Sequence, residues 1–354
     1  MSERADIMQF DLAGLSSLMV EMGQKSYRGQ QLAEWLYIRG ADSFAAMNNL
    51  PPALRVALAE RYRFSPLRLL ERTQSRDGTV RYLLELGDGA LTETVAIATD
   101  ERLTVCFSTQ VGCALGCVFC ATGSLGFSRQ LLTGEMLAQI SFVAADFADR
   151  RISNVVAMGQ GEPFANYEAT LGALRMLNYP ALFGIGARHI TLSTAGLVSQ
   201  IQRFALEPEQ FTLAVSLHSA QQHIRDLLMP GLHKQLLGDL QAALVAYMEE
   251  TSRRVSLEYM LIAGVNDGPD AIASLLAFCA VPVPGFHVNL LSLNPTEVLA
   301  ASPLKLARAG KSSYLYFERA LKDAGISVSR RLSRGAAINA ACGQLSRQRQ
   351  TGNS

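Results

Sequence analysis

Hydrophobic positions follow a helical spacing in the first part of the chain and a strand-like pattern after it. In residues 1–65, the run "QLAEWLYIRG" places apolar residues at helical spacing, and Pro51 and Pro52 open a second short helix. Residues 66–100 then contain two β-rich runs, "TVRYLLEL" and "LTETVAIA", joined by the turn sequence "GDGA". The pattern therefore predicts a small N-terminal helical domain followed by a β-hairpin extension.

From residue 101 to residue 330, strand patterns alternate with helical ones such as "TGEMLAQISFVAADF". This alternation predicts an α/β fold with a mainly parallel sheet, and six units favour a partial (β/α)6 barrel over a closed eight-stranded one. Active sites in such folds lie beyond the C-terminal ends of the strands. Residues 331–354 are expected to form a C-terminal loop and a polar tail. The candidate strands are 102–108, 152–158, 188–194, 211–217, 253–262 and 286–293.

Composition narrows the class of protein. The chain has 354 residues, of which 49% are hydrophobic, enough for one large domain with an appendage. Its 32 Lys and Arg residues balance 31 Asp and Glu residues, so any basic surface for nucleic acid would have to be local. We expect a cytoplasmic protein without a membrane span, because no secretory signal and no apolar run of about 18 residues is present. Clustered cysteines in a reducing compartment indicate metal or redox chemistry rather than structural disulfides.

Three cysteines follow the first predicted barrel strand directly, at the end where the fold places its chemistry. Cys113, Cys117 and Cys120 are spaced C-x3-C-x2-C, whereas zinc ligands usually come as two separate pairs. The nearest histidine, His189, is far along the chain. Three thiolates on a [4Fe–4S] cluster would leave one iron free to bind a substrate molecule. The sequence favours such a cluster over its alternatives, a zinc knuckle or a surface cysteine loop.

The motif, with an aromatic residue before its last cysteine, resembles that of the radical S-adenosylmethionine (SAM) enzymes. In them the free iron chelates the methionine moiety, and electron transfer cleaves the sulfonium to a 5′-deoxyadenosyl radical. "VGCALGCVFCATGSLGFSRQLLTGE" together with "INAACGQL" near the C-terminus is similar to the RlmN/Cfr-type RNA methyltransferases, and the similarity extends over nearly the whole chain. It implies methylation of C2 of an adenosine in 23S rRNA, the one conventionally numbered 2503; members of the RlmN type also act on some tRNAs, and whether this chain does so stays open.

The resemblance gives two further cysteines a role. Cys342 would accept a methyl group from one SAM molecule, and the radical from a second would activate that methyl group to join the adenine carbon. A transient disulfide between Cys106 and Cys342 would then release the product. Glu93 matches the family's proton acceptor, although an amphipathic strand would otherwise turn this glutamate to solvent. Cys106 is an alternative acceptor for the same proton.

Residues at the ends of the predicted strands match the family's SAM contacts. "AMGQGEPFAN" closes the second strand, and its glycines would let the backbone approach a ligand, although a plain turn is an alternative. The resemblance implies that the Glu162 carboxylate meets the cofactor's ammonium group. The ends of the third, fourth and sixth strands would supply its ribose, adenine and methionine contacts. The implied cofactor-binding residues are Gly161, Glu162, Ser193, Ser216, Leu217, His218 and Asn294.

Basic residues in two places suggest where RNA would bind. Arg330, Arg331 and Arg334 precede Cys342, where a substrate would arrive, and Lys25 and Arg28 lie in the N-terminal domain. Each of them is equally well explained as part of an ordinary solvated surface. The resemblance also implies an electron donor such as flavodoxin or ferredoxin, and we expect a monomer.

Two stretches depart from the family pattern. Ala336 and Ala337 occupy a segment that usually carries an acidic residue, and "TEVLA" replaces the usual continuation after "LNP". Both concern the RNA-facing end, so methylation at C8 instead of C2, or of another RNA, stays open. From a different class, a non-catalytic metal-containing RNA-binding protein is the remaining alternative. Cys106 and Cys342 argue against it, because binding alone needs neither thiol.

Overall fold

The computed structural model describes residues 4–64, 67–281, 285–296, 299–300, 304–331 and 333–346. Three short helices and a parallel strand pair make up its N-terminal region. Pro52 begins the third helix, where a missing amide hydrogen costs nothing, and Asp11 caps the first by accepting a hydrogen bond from the Gly14 amide. The elements are β1 (Ala5–Asp6), α1 (Leu12–Glu21), α2 (Arg28–Tyr37), α3 (Pro52–Arg61) and β2 (Tyr62–Arg63).

The predicted β-hairpin belongs to a three-stranded antiparallel extension. Its two expected strands pair with each other, and Gly89, at φ +83°, lies in the turn between them, where a positive φ favours glycine. A third strand, which the hydrophobic pattern did not predict, pairs with the first of the two. The strands are β3 (Arg68–Gln74), β4 (Thr79–Glu85) and β5 (Leu91–Ala98).

The extension continues into a parallel sheet through β6 (Leu103–Cys106), which pairs antiparallel with β5. A small ribbon of β7 (Gln110–Gly112) and β8 (Phe127–Gln130) follows, with the cysteine motif between its strands. Six further strands join β6 in parallel, so that ten strands form one sheet in the order β14-β13-β12-β11-β10-β9-β6-β5-β4-β3. They are β9 (Asn154–Ala157), β10 (Ile190–Thr194), β11 (Thr212–Ser216), β12 (Val255–Leu261), β13 (Phe286–Ser292) and β14 (Ser327–Arg330).

Helices follow each parallel strand up to β13 and, apart from the short first one at residues 121–124, form the outer layer. The strand face that packs against these helices is apolar; Val255, Leu257 and Tyr259 of β12 lie on it and are fully buried. Ser256 and Glu258 alternate with them, so the opposite face of β12 carries polar residues. The helices are α4 (Ala121–Ser124), α5 (Thr133–Asp146), α6 (Tyr167–Asn178), α7 (Val198–Ala205), α8 (Gln222–Leu228), α9 (Leu237–Thr251), α10 (Pro269–Cys279) and α11 (Lys311–Asp323).

The prediction of a partial barrel of six β/α units is confirmed, with β14 as a seventh parallel strand. The predicted domain boundary at residue 100 falls between β5 and β6, which are neighbours in one continuous sheet. Residues 347–354 of the predicted tail lie outside the described residues. In the part of the chain that the structure describes, no helix is long and apolar enough to cross a bilayer.

Candidate active site

The cysteine motif lies in the loop that connects β7 and β8, and the pairing of these two strands holds the ends of the loop together. Gly112, at φ +82°, ends β7, and a Cβ placed there would lie 1.9 Å from the Gly126 carbonyl oxygen. Only glycine therefore fits at this position. The next amide, that of Cys113, donates a hydrogen bond to the same oxygen at 2.9 Å. The local sequence thus fixes where the three thiols begin.

Cys113, Cys117 and Cys120 all line one cavity of about 160 Å³ at the C-terminal ends of the parallel strands. All three are free thiols. Burial, together with the neighbouring sulfurs, raises the pKa of Cys117 well above its ordinary value, and burial raises that of Cys113 to about 11. A nearby cation would favour the thiolate forms of Cys113 and Cys117.

The donor set fits an iron–sulfur cluster better than zinc. Across the described residues, no three His, Cys, Asp or Glu side chains converge on a single-ion site. In a [4Fe–4S] cluster, each thiolate binds a different iron, so the three sulfurs need not converge on one point. Three separate thiols around one cavity are compatible with the cluster, and their role as its ligands stays a prediction.

Glu162 is a buried carboxylate of the same cavity. It accepts hydrogen bonds from the Phe164 amide at 3.0 Å, the Thr194 hydroxyl at 2.7 Å and the Ala195 amide at 2.6 Å. Burial raises its pKa and these bonds lower it in part. Gly161 precedes it at φ +103°, and a Cβ there would meet the Gln110 side chain at 2.6 Å. The loop after β9 is therefore built around a fixed carboxylate.

Ser193, Ser216 and His218 line this cavity too, whereas Leu217 is buried beside it. The His218 ring packs edge-on against Phe119, with ring centroids 4.8 Å apart. Burial, and then the nearby Arg225 charge, lower the pKa of His218 to about 3, so the ring is neutral. Its Nδ1 accepts the Met260 amide at 3.2 Å. A neutral ring next to the cysteine loop can offer only hydrogen bonding and stacking.

A second cavity, of about 310 Å³, adjoins the first and holds the two remaining predicted thiols. We call them the inner cavity, with the cysteine motif, and the outer cavity. Cys106, at the end of β6, lines the outer cavity, and Cys342 lines both. Burial, and then proximity to Cys342, raise the pKa of Cys106 to about 12. The structure thus brings Cys106 and Cys342 together, although they are distant in sequence.

The segment around Cys342 is held to several elements by hydrogen bonds. Most of them use its backbone, so the position of the thiol does not depend on the thiol itself. The bonds are Ala121 N to Gly343 O (2.7 Å), Thr122 Oγ1 to Leu345 O (2.8 Å), Asn294 Nδ2 to Cys342 O (3.3 Å), Gln344 Nε2 to Pro295 O (2.8 Å) and Gly335 N to Asp77 Oδ2 (2.9 Å).

Asn294 differs from the other predicted cofactor contacts. It lines the outer cavity rather than the inner one, and its side-chain amide donates to the Cys342 carbonyl. In this structure it therefore positions the thiol-bearing segment. Its contact with the cofactor stays a prediction.

Glu93 lines neither cavity. It is fully buried, contrary to the alternative of a solvent-facing glutamate, and its Oε1 accepts from Arg81 Nη1 at 2.9 Å. Its Oε2 accepts from Gln160 Nε2 at 3.1 Å. Arg81, also buried, pairs in addition with Glu71 at 2.7 Å. The structure therefore places Glu93 in an ion-pair network behind the site, and its role as proton acceptor stays a prediction.

Replacing Glu93 with glutamine should lower the free energy of unfolding by about 3 kcal/mol, because it leaves Arg81 with a weaker set of partners. Urea unfolding of the cluster-free protein measures this. The double variant Arg81→Met, Glu93→Gln should recover most of the loss. If Glu93 is also the proton acceptor, the double variant stays inactive although it is stable. Near-normal activity in the double variant would contradict that role.

Two cavity residues were missed by the sequence reasoning in different ways. Glu258, a buried carboxylate in the middle of β12, lines the inner cavity and accepts from Asn289 Nδ2 at 2.7 Å. Its position inside the apolar run "VSLEYMLI" could have identified it from the sequence, because burying a charged residue is costly. Arg331, predicted only as an RNA contact, lines both cavities.

The other basic residues that were predicted to contact RNA lie in different environments. Arg334 also lines the outer cavity, so it faces the space where a substrate would enter. Arg330 instead stacks on Tyr314, 4.5 Å from the ring centroid. In the N-terminal region Arg28 lies near the Tyr27 ring. Of the three arginines before Cys342, two therefore remain candidates for RNA contact.

Comparison with known proteins agrees with this geometry. Residues 5–63 match the ribosomal RNA large subunit methyltransferase N-terminal domain, and residues 107–276 match the radical SAM superfamily. A probable dual-specificity RNA methyltransferase RlmN of Synechococcus sp. (strain CC9902) is 43% identical over 349 residues, covering 96% of each chain. That of Geobacillus kaustophilus is 41% identical, covering 96% of this chain and 92% of its own. A radical SAM methyltransferase from Sphaerobacter thermophilus superimposes with a TM-score of 0.88 at 42% identity, covering 97% and 100%.

The partial barrel and the three-cysteine loop at its strand ends define a radical SAM enzyme. Such enzymes use SAM and a [4Fe–4S] cluster. Within this class, the chain belongs to the RlmN family of RNA methyltransferases, because its relatives from that family align with 96% of its length.

Proposed function

We propose that the protein methylates C2 of an adenosine in 23S rRNA, of the adenosine 2503 type, and the corresponding carbon in tRNA. One observation carries the proposal: Cys342 lines both cavities and Cys106 shares the outer one with it. A thiol between two cavities can take a group from a ligand in one and pass it to a substrate in the other. The relatives' names support RNA as that substrate.

In this proposal the inner cavity is the cofactor site. Cys113, Cys117 and Cys120 hold the cluster, and Glu162 meets the ammonium group of SAM. Bound together, cluster and SAM supply a methyl group and a hydrogen-abstracting radical, two SAM molecules being used in each turnover. The electron comes from a donor of the flavodoxin or ferredoxin type. Glu162 suits its role because three donors fix its carboxylate in the cavity wall.

The two thiols would act in sequence. The Cys342 thiolate accepts a methyl group on Sγ at the border of the cavities. After a hydrogen atom is removed from that group, its carbon would form a bond to the adenine carbon in the outer cavity, and the adduct would lose its unpaired electron to the oxidised cluster and its ring proton to a base. The Cys106 thiolate would then attack Cys342 Sγ, forming the disulfide while the carbon–sulfur bond breaks, and the released carbon would take up a proton to become the methyl group of the product. The shared outer cavity supports this order, because it places Cys106 beside Cys342 on the substrate side.

The proton of the adenine carbon needs an acceptor within reach of the outer cavity. Cys106 lines that cavity. Glu93 would first have to leave its ion pair with Arg81. The arrangement thus favours Cys106 of the two candidates, and the Glu93 variants described above separate them.

The proposal is tested by giving anaerobically reconstituted protein SAM, a reductant and protein-free 23S rRNA or tRNA. The RNA is digested to nucleosides and analysed by mass spectrometry. We expect new 2-methyladenosine, which is absent when SAM is omitted. Formation of 8-methyladenosine would assign the enzyme to the Cfr type instead. If neither product forms on a protein with an intact cluster, the substrate is another RNA.

A further inference from the structure

Arg225 on α8 is a buried arginine outside both cavities. Only 2% of its surface is exposed. A guanidinium keeps its charge in proteins, so burying it is costly unless an anion or a full set of acceptors compensates. The partners of Arg225 therefore need to be accounted for one by one.

All hydrogen-bond partners of the Arg225 guanidinium are neutral. Its Nη1 donates to the carbonyl oxygens of Ser216 and Leu217, each at 2.9 Å, and its Nη2 donates to that of Ala195 at 2.5 Å. The Met229 sulfur lies 3.3 Å from Nη1. Within the described parts of the chain, Arg225 forms no ion pair. A positive charge is thus held rigidly at the ends of β10 and β11 without a negative charge bonded to it.

The cysteine loop packs on the same part of the structure. The Val118 amide donates to the Leu228 carbonyl at the end of α8, and the Gly231 amide donates to the Leu115 carbonyl, each at 3.0 Å. Burial lowers the pKa of Arg225 to about 10, and the group that most opposes this is Cys117, ahead of Asp226. Asp226 is occupied elsewhere, accepting from Gln222 at 2.8 Å. Ala195, Ser216 and Met229, which contact the guanidinium, also line the inner cavity, so the cation lies directly behind the wall of the cavity that contains the three cysteines.

We propose that Arg225 is the counter-charge of the iron–sulfur cluster and a positioning residue that raises the cluster's reduction potential. The inference rests on the proposed cluster at the three cysteines. A [4Fe–4S] cluster with three thiolates is negatively charged, and one-electron reduction adds a further negative charge. A fixed buried cation favours the more negative state, because the low dielectric strengthens the attraction. Without the cluster, the same cation only costs stability.

The test measures the midpoint potential of the reconstituted cluster by spectroscopically monitored redox titration, without RNA. Arg225→Gln removes the charge and keeps amide donors; Arg225→Lys keeps the charge with fewer donors. We expect Arg225→Gln to lower the equilibrium constant for reduction at least tenfold, about 59 mV, and Arg225→Lys to change it less than threefold. Arg319→Gln, which removes an exposed charge on α11, should leave the potential unchanged.

Several results would overturn the proposal. It fails if Arg225→Gln leaves the potential unchanged, or if the Lys and Gln variants shift it equally, because hydrogen bonds rather than charge would then matter. It also fails if neither variant folds as cluster-free protein, since Arg225 would then be needed for the fold itself. If Arg225→Gln alone loses the cluster while Arg225→Lys retains it, the charge role is supported. Iron and sulfide analysis of the unaltered protein, together with the nucleoside digest, shows separately whether the proposed function holds.

Discussion

Replacing Cys342 with alanine is expected to reduce RNA methylation by more than about 10³-fold, because Cys120, the other thiol that lines both cavities, is a proposed cluster ligand and cannot replace Cys342 as the nucleophile. The measurement is methylated nucleoside formed per protein chain under anaerobic conditions. Iron content and RNA affinity should stay close to those of the unaltered protein. The segment keeps its position in the variant, since its hydrogen bonds use the backbone and the side chain of Gln344.

Cys279→Ala is the matched control for this substitution. Cys279 is a buried thiol of α10 that lines neither cavity and packs as a small hydrophobe in the core. Its removal should cost about 1 kcal/mol of stability and leave methylation unchanged. Substantial turnover by the Cys342→Ala protein would contradict the thiol-transfer route, and with it the proposed function.

Replacing Cys106 with alanine should have the second largest effect and a different outcome. The Cys342-bound methyl carbon can still join the RNA, but no thiol remains to break the carbon–sulfur bond. We therefore expect turnover to fall more than about 10²-fold and RNA to accumulate in covalent linkage to Cys342. Denaturing gel electrophoresis detects the linked RNA, and mass spectrometry of nuclease-treated peptides identifies the attachment site.

The double variant Cys106→Ala, Cys342→Ala is the control for linkage. It should form no adduct, because the attachment sulfur is missing. Cys106 lies on β6 between Val95 of β5 and Val156 of β9, so alanine leaves a small apolar gap costing about 1–2 kcal/mol. Normal product release by the single variant would remove Cys106 from the mechanism.

The position of the cysteine loop could be predicted from the sequence, because it depends on residues that are close to one another in the chain. Cys113, Cys117 and Cys120 lie within one loop, and the preceding strand and Gly112 set its position. The alternation of strands and helices likewise fixed the fold class, since each element's apolar pattern reflects its own burial. The seventh parallel strand β14 carries a weaker hydrophobic signal, because two of its four residues are exposed and two are half-buried.

The hydrogen-bond and ion-pair partners of the buried polar residues could not be predicted from the sequence in the same way. Glu93 lies between two threonines in its strand and looks like a solvent-facing residue in the sequence, and only the pairing of β5 with β4 brings Arg81 beside it. Asn294 looked like the other strand-end residues, and its bond to Cys342 depends on a segment 48 residues away. In the sequence, Arg225 looks like an ordinary basic residue of a short amphipathic helix. In each case tertiary pairing, not local pattern, decides what the polar group contacts.

The attachment of the Cys342 segment also has a consequence for the order of folding. The Gly335–Asp77 bond joins residues 258 positions apart, and Thr122–Leu345 joins residues 223 apart. The first of these ties the chain beyond β14 to the turn before β4, near the opposite edge of the sheet. Contacts of such long range form late, after the intervening chain is ordered. The thiol that we propose as the methyl acceptor is therefore expected to reach its place only after the sheet has formed.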